Sequence, residues 1–488
     1  MGIGALRSAT LITRSGGIHI RSMGLSDTLS ARFDVEERGS DVGTELLAGL
    51  TTFLTMSYII VVNPVILSNA IDAGENTFQL LAVVTIIASV AAMLVMGLYA
   101  DLPFGLAPGM GLNAFFVVVV MELNVPWETA LAAVFLEGVL FIMLTAAGAR
   151  EYVIRLFPEP VKLSVGAGIG LFLALLGLEQ MRIITGSVSL NPVIALDPIA
   201  ILAAAGILLT FALWARGIRG AIVVGILLTS VFAYLVSALG VEPRPGGADQ
   251  GLVDTATLAP GISGITYDLA AYDISPLAFA FVEGFQNVEA LTFALVVFTF
   301  FFVDFFDTAG TLTGLGQAAG MTDESGDLPD IDKPLMADAV GTTVGGLLGT
   351  STVTTYIESS AGIGEGGRTG LTALVVAALF LLSLPFVPLL SAIPSFAPYV
   401  ALVVVAVMML QNVTEIDWND LVHAIPAGLT IIIMPLTSSI AYGIAAGLLS
   451  FPVVAVAAGR SEETRLGHWL MALACIGYFA IRFGALAS

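Results

Sequence analysis

The sequence predicts an all-α polytopic membrane protein of fourteen transmembrane segments, built as two inverted halves of seven. Three observations carry this. The 488 residues are 57% hydrophobic and 11% charged, with a mean hydropathy of +0.97, whereas soluble domains average about 25% charged residues. Apolar runs of spanning length recur almost to the C-terminus. The third segment of each half, residues 102–120 and 351–367, is apolar but interrupted by Gly, Pro or Ser.

Residues 1–42 are polar and read as an N-terminal cytoplasmic tail. The run Leu11 to Ile20 is cut by Arg14, Gly16 and Gly17, too weak for a signal peptide, and Met23 offers an alternative start. The first span covers 44–67, and Asn63–Pro64 is expected to break it. The second covers 78–100. The third, 102–120, holds Pro103, Pro108, Gly105, Gly109 and Gly111, too many interruptions for a continuous helix. Backbone of that kind survives at membrane depth only when buried in protein or lining a cavity. Spans follow at 127–147, 161–180, 196–215 and 219–240. A loop at 241–275 separates the halves. The second half runs through spans at 290–316 and 334–350 and the interrupted segment 351–367. Spans at 369–391, 398–413, 424–438 and 440–459 complete it. The remaining stretch 468–486, with Trp469, Tyr478 and Arg482, is expected to lie along the interface.

Basic residues support this count. Arg150, Arg155, Lys162, Arg216, Arg219, Arg368, Arg460 and Arg465 fall on one side, and little beyond Arg182 and Arg244 on the other. The positive-inside rule then makes both termini cytoplasmic and the protein a multi-pass resident of the cell (plasma) membrane. Thirty-eight acids against 17 bases leave a net charge of −21, which argues against nucleic acid as a partner. Lys162 and Lys333 are the only lysines. An acidic, lysine-poor surface suits a salt-rich cytoplasm, so a halophilic source is expected. One cysteine, Cys475, excludes an internal disulfide framework. His19, His423 and His468 lie far apart and outside any HExxH pattern, so no metal site and no metalloprotease is expected.

The halves echo one another: residues 217–240 and 438–459 share glycine spacing and apolar pattern. With seven spans per half, the second half enters the membrane in the opposite orientation. Gly/Pro-interrupted segments in matching places of two such halves point to a transporter's binding site. Close packing at glycines would also make such helices look alike.

The run Phe301 to Leu312 carries Asp304 and Asp307, three apart and so on neighbouring positions of one helical face. A carboxylate at mid-bilayer depth costs roughly 2.5–3.5 kcal/mol on insertion scales and marks a functional site by default. Glu358 lies in the second interrupted segment and Asn113 at the matching place in the first. Three carboxylates, an amide and free backbone donors suit a planar, uncharged, hydrogen-bonding ligand. Carboxyls out of water also take up protons more readily, as proton coupling requires. Glu137 and Asp338 are further intramembrane acids, expected to brace helices. Phe300 to Phe302, Phe305 and Phe306 are expected mainly to pack.

Several motifs now carry a family resemblance. TTFLTMSYIIVVNPVIL, GLAPGMGLNAFF, FVDFFDTAGTLTGLGQAAGM, ADAVGTTVGGLLGTSTVTTYIESSAGIGEGGRTGLTALV and AIPAGLTIIIMPLTSSIAYGI, in this order from about Thr44 onward, resemble the AzgA-like purine permeases. That family belongs to the nucleobase–cation symporter and nucleobase–ascorbate transporter superfamily. The resemblance implies a uracil-permease-like fold with a core domain (43–148 and 289–391) and a gate domain (149–240 and 392–459). An extracytoplasmic loop at 241–288 and a C-terminal interfacial segment at 460–488 complete the division. It implies a homodimer and substrate held between the broken third and tenth segments. Asn113, Asp304, Asp307 and Glu358 fall on the family's site positions, with Tyr356 to Ser359 supplying further donors.

The resulting expectation is a proton symporter, not an enzyme, importing hypoxanthine, guanine or adenine by alternating access. Substrate would meet Glu358, Asp304, Asn113, Asp307, Tyr356 and Ser359, and Asp304 with Glu358 would couple the proton. No cofactor is expected beyond the coupling ion, H+, with Na+ as the alternative. Two other readings stand beside it. One is an anion transporter of the same fold, for sulfate or bicarbonate. The other is a membrane-embedded hydrolase using Ser359 or Ser360.

Overall fold

The computed structural model describes residues 25–74, 76–148, 157–185, 189–191, 197–241, 252–253, 265, 272–287, 290–323, 328–437 and 439–486. Residues 1–24 of the expected tail 1–42, Met23 among them, with Arg150, Arg155, Arg244 and most of the loop 241–275, lie outside them.

In chain order the helices are α1 (Leu25–Arg32), α2 (Val42–Met56), α3 (Ile59–Leu67) and α4 (Thr77–Val95), the last extended by a π turn, Met96–Ala100. Strand β1 (Leu106–Pro108) leads into α5 (Met110–Met121). Then come α6 (Trp127–Ala146), α7 (Glu159–Gln180), α8 (Pro198–Ala215) and α9 (Ala221–Ala238). The short α10 (Phe281–Gly284) precedes α11 (Ala290–Ala319) and α12 (Asp332–Leu348). Strand β2 (Val353–Thr355) leads into α13 (Ser359–Gly364) and α14 (Gly370–Ser383). The chain closes with α15 (Val387–Leu390), α16 (Tyr399–Met409), α17 (Leu421–Leu436), α18 (Ile440–Ala457) and α19 (Leu466–Leu486). Among the described residues, nine helices are long and apolar enough to cross a membrane.

The first span breaks elsewhere than expected. Pro64 lies inside α3, and the interruption falls at Ser57–Tyr58, between α2 and α3. Pro64 has no N–H to offer the carbonyl one turn back, and its ring crowds that carbonyl. The chain answers upstream with tightened bonds, Ile60 N–H to Ser57 O at 3.1 Å and Val61 N–H to Tyr58 O at 3.0 Å. The displaced break frees Tyr58 to serve a site far away in sequence.

Some helix starts are satisfied by side chains, a few of them from distant segments. Asp41 accepts from Thr44 N at the head of α2. The head of α14 is served by two carboxylates from the first half of the chain. Buried Glu45 accepts from Arg368 N (2.9 Å), Thr369 N (3.3 Å) and Thr372 Oγ1 (2.5 Å), and Asp101 accepts from Gly370 N (2.9 Å) and Arg38 Nη2 (2.7 Å). Acceptors there meet both the unpaired donors and the positive end of the helix dipole. Asp420 caps α17 through Val422 N at 3.0 Å and pairs with Arg460 at 2.6 Å, and this hydrogen-bonded guanidinium holds its carboxyl below the usual range.

Helices pack in two neighbourhoods. In one, α12 lies on α6 and α4, α14 on α2 and α4, and α11 on α6; in the other, α7 lies on α16 and α17, α17 on α18, and α8 on α9. Glycine–threonine contacts close both α8–α9 and α17–α18. A Cβ on Gly225 would lie 2.0 Å from Thr210 Oγ1, and one on Gly447 would lie 2.1 Å from Thr430 Oγ1. The shared glycine spacing of 217–240 and 438–459 therefore serves close helix approach in both hairpins. The stretch expected at the interface forms α19 against α18, with Trp469, Leu470, Leu473 and Ile476 exposed. The side chains of Tyr478 and Arg482 lie outside the described ones.

Candidate functional site

The two interrupted segments meet at the centre of the molecule. β1 and β2 pair antiparallel, Leu106 opposite Thr355, Ala107 opposite Thr354 and Pro108 opposite Val353. Tyr356 N–H to Gly105 O and Gly109 N–H to Thr352 O, both 3.0 Å, extend the ladder. A three-residue pairing needs side-chain help. Ser359 Oγ accepts from Gly105 N (2.9 Å), and the Tyr356 hydroxyl donates to Pro108 O (2.5 Å). Because the strands are antiparallel, α5 and α13 start at opposite ends of the pair.

Glu358 stands at the head of α13, 7% exposed. Its Oε1 accepts from the hydroxyl of Tyr58 at 2.5 Å, and its main-chain carbonyl accepts from Thr55 Oγ1 at 3.3 Å. The rings of Tyr58 and Tyr356 lie 6.5 Å apart. Asp307 is half-buried, close enough for its charge to reach Glu358, Tyr356 and Asp338, and makes no hydrogen bond to a described residue. Carboxylate, aromatic faces and an unengaged second carboxylate form the front of the site.

Asp304 belongs to a different place. Three residues along a helix turn the side chain by about 60°, and here that separates Asp304 from Asp307. Asp304 is fully buried behind β2, where Oδ2 accepts from Thr342 Oγ1 at 3.4 Å and Oδ1 has no partner among the described residues. Thr342 accepts from Val353 N (3.2 Å) and lies 3.0 Å from Val353 O, so Val353 O and Asp304 share its single hydroxyl hydrogen. Asp338, expected to brace, does so: Oδ1 accepts from Thr355 Oγ1 at 2.9 Å and Oδ2 from Thr308, which lies 2.8 Å from Thr354 Oγ1. Glu137 comes up beside Asp304, but neither of its buried oxygens makes a hydrogen bond of ordinary geometry.

Asn113 is fully buried on α5. Its Oδ1 accepts from Ser351 Oγ, just ahead of β2, and its Nδ2 has no partner among the described residues. The expected site residues therefore divide. Glu358 and Tyr356 stand at the strand crossing, Asp307 lies within charge range of both and of Asp304, Asp304 lies behind β2, and Asn113 and Ser359 bond across the crossing to Ser351 and Gly105. The phenylalanines pack as expected: Phe300 meets Phe115 at 4.7 Å, Phe302 meets Phe157 at 4.2 Å, and Phe305 meets Phe141 at 5.5 Å. Sequence reasoning missed Tyr58, Thr308, Thr342 and Thr355. The cue for Tyr58 was a phenol beside Ser57 in an otherwise apolar run.

The permease family of the xanthine/uracil type matches residues 43–446. The guanine/hypoxanthine permease PbuO of Bacillus subtilis is 39% identical over 438 residues, 88% of this chain and 95% of that protein. The adenine permease AdeQ of Escherichia coli is 36% identical over 445 residues, covering 90% and 94%. Among solved structures, the transmembrane domain of a cyanobacterium bicarbonate transporter, BicA, aligns with a TM-score of 0.56 at 16% identity, covering 83% of this chain and 97% of that one. SLC26A9 aligns at 0.57 and 12%, covering 86% and 66%. At such identity these structures speak for the fold alone.

Proposed function

The chain belongs to the xanthine/uracil permease family, and from that premise we propose that it imports purine nucleobases by proton symport. Members of the family are transporters, so the hydrolase alternative falls, and Ser359 Oγ is in any case engaged with Gly105 N. The purine assignment draws on relatives named for guanine, hypoxanthine and adenine.

One observation supports the binding mode above the others: Glu358 at the strand crossing is held by a single tyrosine hydroxyl, and Asp307, within range of its charge, makes no hydrogen bond to a described residue. Carboxylates accept N–H groups, and a purine offers several on a planar ring that tyrosine faces can flank. An anion would meet like charge there, which weighs against sulfate or bicarbonate. In this reading Glu358 accepts ring N–H groups, Asp307 bonds or orients the base, and Asp304 carries the proton. Asn113, Ser359 and Tyr356 keep the crossing in shape.

The same reading takes the fold to be fourteen segments in two inverted halves, with the third and tenth broken at β1 and β2. The neighbourhood of α2, α4, α6, α11, α12 and α14 would be the core, and that of α7–α9 and α16–α18 the gate. The core would move against the gate in a homodimer whose termini are cytoplasmic. Uptake of radiolabelled hypoxanthine into vesicles, with a panel of competing bases, tests the substrate. Collapse of uptake by a proton ionophore is expected; dependence on a sodium gradient would transfer the coupling to Na+. Competition by sulfate but not by purines would overturn the reading.

A further inference from the structure

Among the described residues, the intramembrane acid Glu137 has no bracing partner. Asp338 shows what bracing looks like in this molecule, with both oxygens bonded to threonines. Glu137 is equally buried, yet among the described residues neither of its oxygens, nor Oδ1 of Asp304, has a donor. An unpaired buried carboxylate is among the costliest groups a protein can hold. The helix that carries it is also pressed hard into place. On either side of Glu137, α6 touches α12 backbone to backbone: a Cβ on Gly138 would lie 2.6 Å from Thr343 N, and one on Gly346 would lie 2.6 Å from Phe135 N. Two small residues have been spent to seat this acid against α11 and α12.

We propose that Glu137 and Asp304 act as one proton-sharing pair, the carrier of the coupling proton, set behind β2 and apart from the substrate carboxylate Glu358. The proposal rests on the proton-symport reading. A carboxyl that holds a proton donates it to its neighbour, so one proton satisfies both groups. With none, two like charges would stand together out of water. The groups facing Glu137 are few. Asp304 comes from α11 and Asp338 from α12, with Asp307 one turn further along α11. Helix α5 contributes no charged side chain between Met110 and Met121, and Glu283 on α10 is exposed. Asp338 is occupied by its threonines, which leaves Asp304 as the partner.

The pair also has a route to the substrate. Asp304 bonds Thr342, and Thr342 clasps both backbone groups of Val353 in β2, five residues before Glu358. A ligand that shifts β2 shifts the donor on Asp304, and loss of the shared proton pulls on β2 in return. Linkage makes the effect reciprocal.

The test uses full-length protein in proteoliposomes with a pH-sensitive dye and radiolabelled hypoxanthine. Wild type should show proton entry driven by hypoxanthine; its absence would remove the symport reading and the pair with it. Glu137→Gln keeps size and removes the titratable group. Its accumulation of hypoxanthine should fall at least ~10-fold, with exchange of labelled for unlabelled base falling far less, and the pH dependence of hypoxanthine binding should flatten. Glu137→Asp should restore part of the coupling. Wild-type accumulation and pH dependence in Glu137→Gln would overturn the pair. So would a parallel loss of exchange and accumulation with lowered thermal stability that Glu137→Asp does not repair, since that pattern marks bracing. Difference infrared spectra give a second readout: a protonated-carboxyl band that responds to hypoxanthine in wild type should be missing in Glu137→Gln, and its persistence would count against the pair.

Discussion

The two strands at the centre of the molecule pair residue for residue yet are held by different means. β1 presents Leu106, Ala107 and Pro108, with no polar side chain. It is fixed by the ladder and by groups lent from the second half, Ser359 Oγ and the Tyr356 hydroxyl. β2 presents Val353, Thr354 and Thr355, and each is tied to a helix behind it, through Thr342, Thr308 and Asp338. The helix starts differ in the same sense. Asn113 on α5 is fully buried and bonded to Ser351, whereas Glu358 at α13 stands in the site with Tyr58 as its hydroxyl partner. Matching positions in two halves have thus diverged. One strand is a passive rail, and the other is tied to two buried acids, Asp338 through Thr355 and Thr308 and Asp304 through Thr342.

If that contrast is right, the largest effect follows from the wired side. Glu358→Gln keeps the shape and removes the acceptor charge. Uptake should fall by ~10- to 100-fold, the equivalent of about 1.5–3 kcal/mol for a hydrogen bond to a charged group, while the protein stays monodisperse in detergent. Asn113→Ala on the rail side should lower uptake less and act through stability, because Ser351 loses its partner. Equal losses of uptake in the two variants would break the contrast.

The next comparison is within the strands. Thr355→Val leaves Asp338 Oδ1 buried without its donor, and should cost about 1–3 kcal/mol of stability. Leu106→Val, at the paired position in β1, removes one methylene and should cost about 1 kcal/mol. Thermal unfolding in detergent reads both. A larger shift from Leu106→Val would mean that β1, not β2, carries the load.

Much of this was legible in the sequence because its causes are local. Apolar runs, glycine interruptions and costly carboxylates announce themselves by composition and period, which is why α4, α6, α11 and α12 and the acids Asp304, Asp307 and Glu358 were found. The wiring was not legible. A threonine in an apolar helix satisfies itself on the carbonyl one turn back, as Thr210 does on Gly206 O at 2.8 Å, so nothing distinguished Thr308 or Thr342 from Thr210. Tyr58 stands out only as a phenol in an apolar run; what it serves emerges when its partner, 300 residues away, is placed beside it. Asp304 and Asp307 share a helical face by count, but which neighbour lies within the 60° between them depends on α6 and α12. Glu45 reads as an acid at a helix start, and only the position of α14 shows that it caps another helix.

The smallest effect sharpens the comparison most, because distance alone does not decide it. A Cβ on Gly109 would lie 2.6 Å from Thr354 Cγ2, and one on Gly105 would lie 2.5 Å from Met56 Sδ and 3.3 Å from Thr52 Cγ2. By spacing the two substitutions are equally bad. They differ in what must give way. Thr354 is branched, stiff at its first torsion and part of the wired strand through Thr308, so Gly109→Ala has to displace β2 itself and should cost about 1–3 kcal/mol. Met56 is unbranched and its thioether adapts to irregular space, so Gly105→Ala should cost less than about 1 kcal/mol. Unfolding of the two variants side by side, with hypoxanthine uptake as a second measurement, should show Gly109→Ala impaired in both and Gly105→Ala close to wild type. Equal destabilisation would show that the buried Met56 is as firmly held as the threonines, and that the rail is no softer than the wired strand it supports.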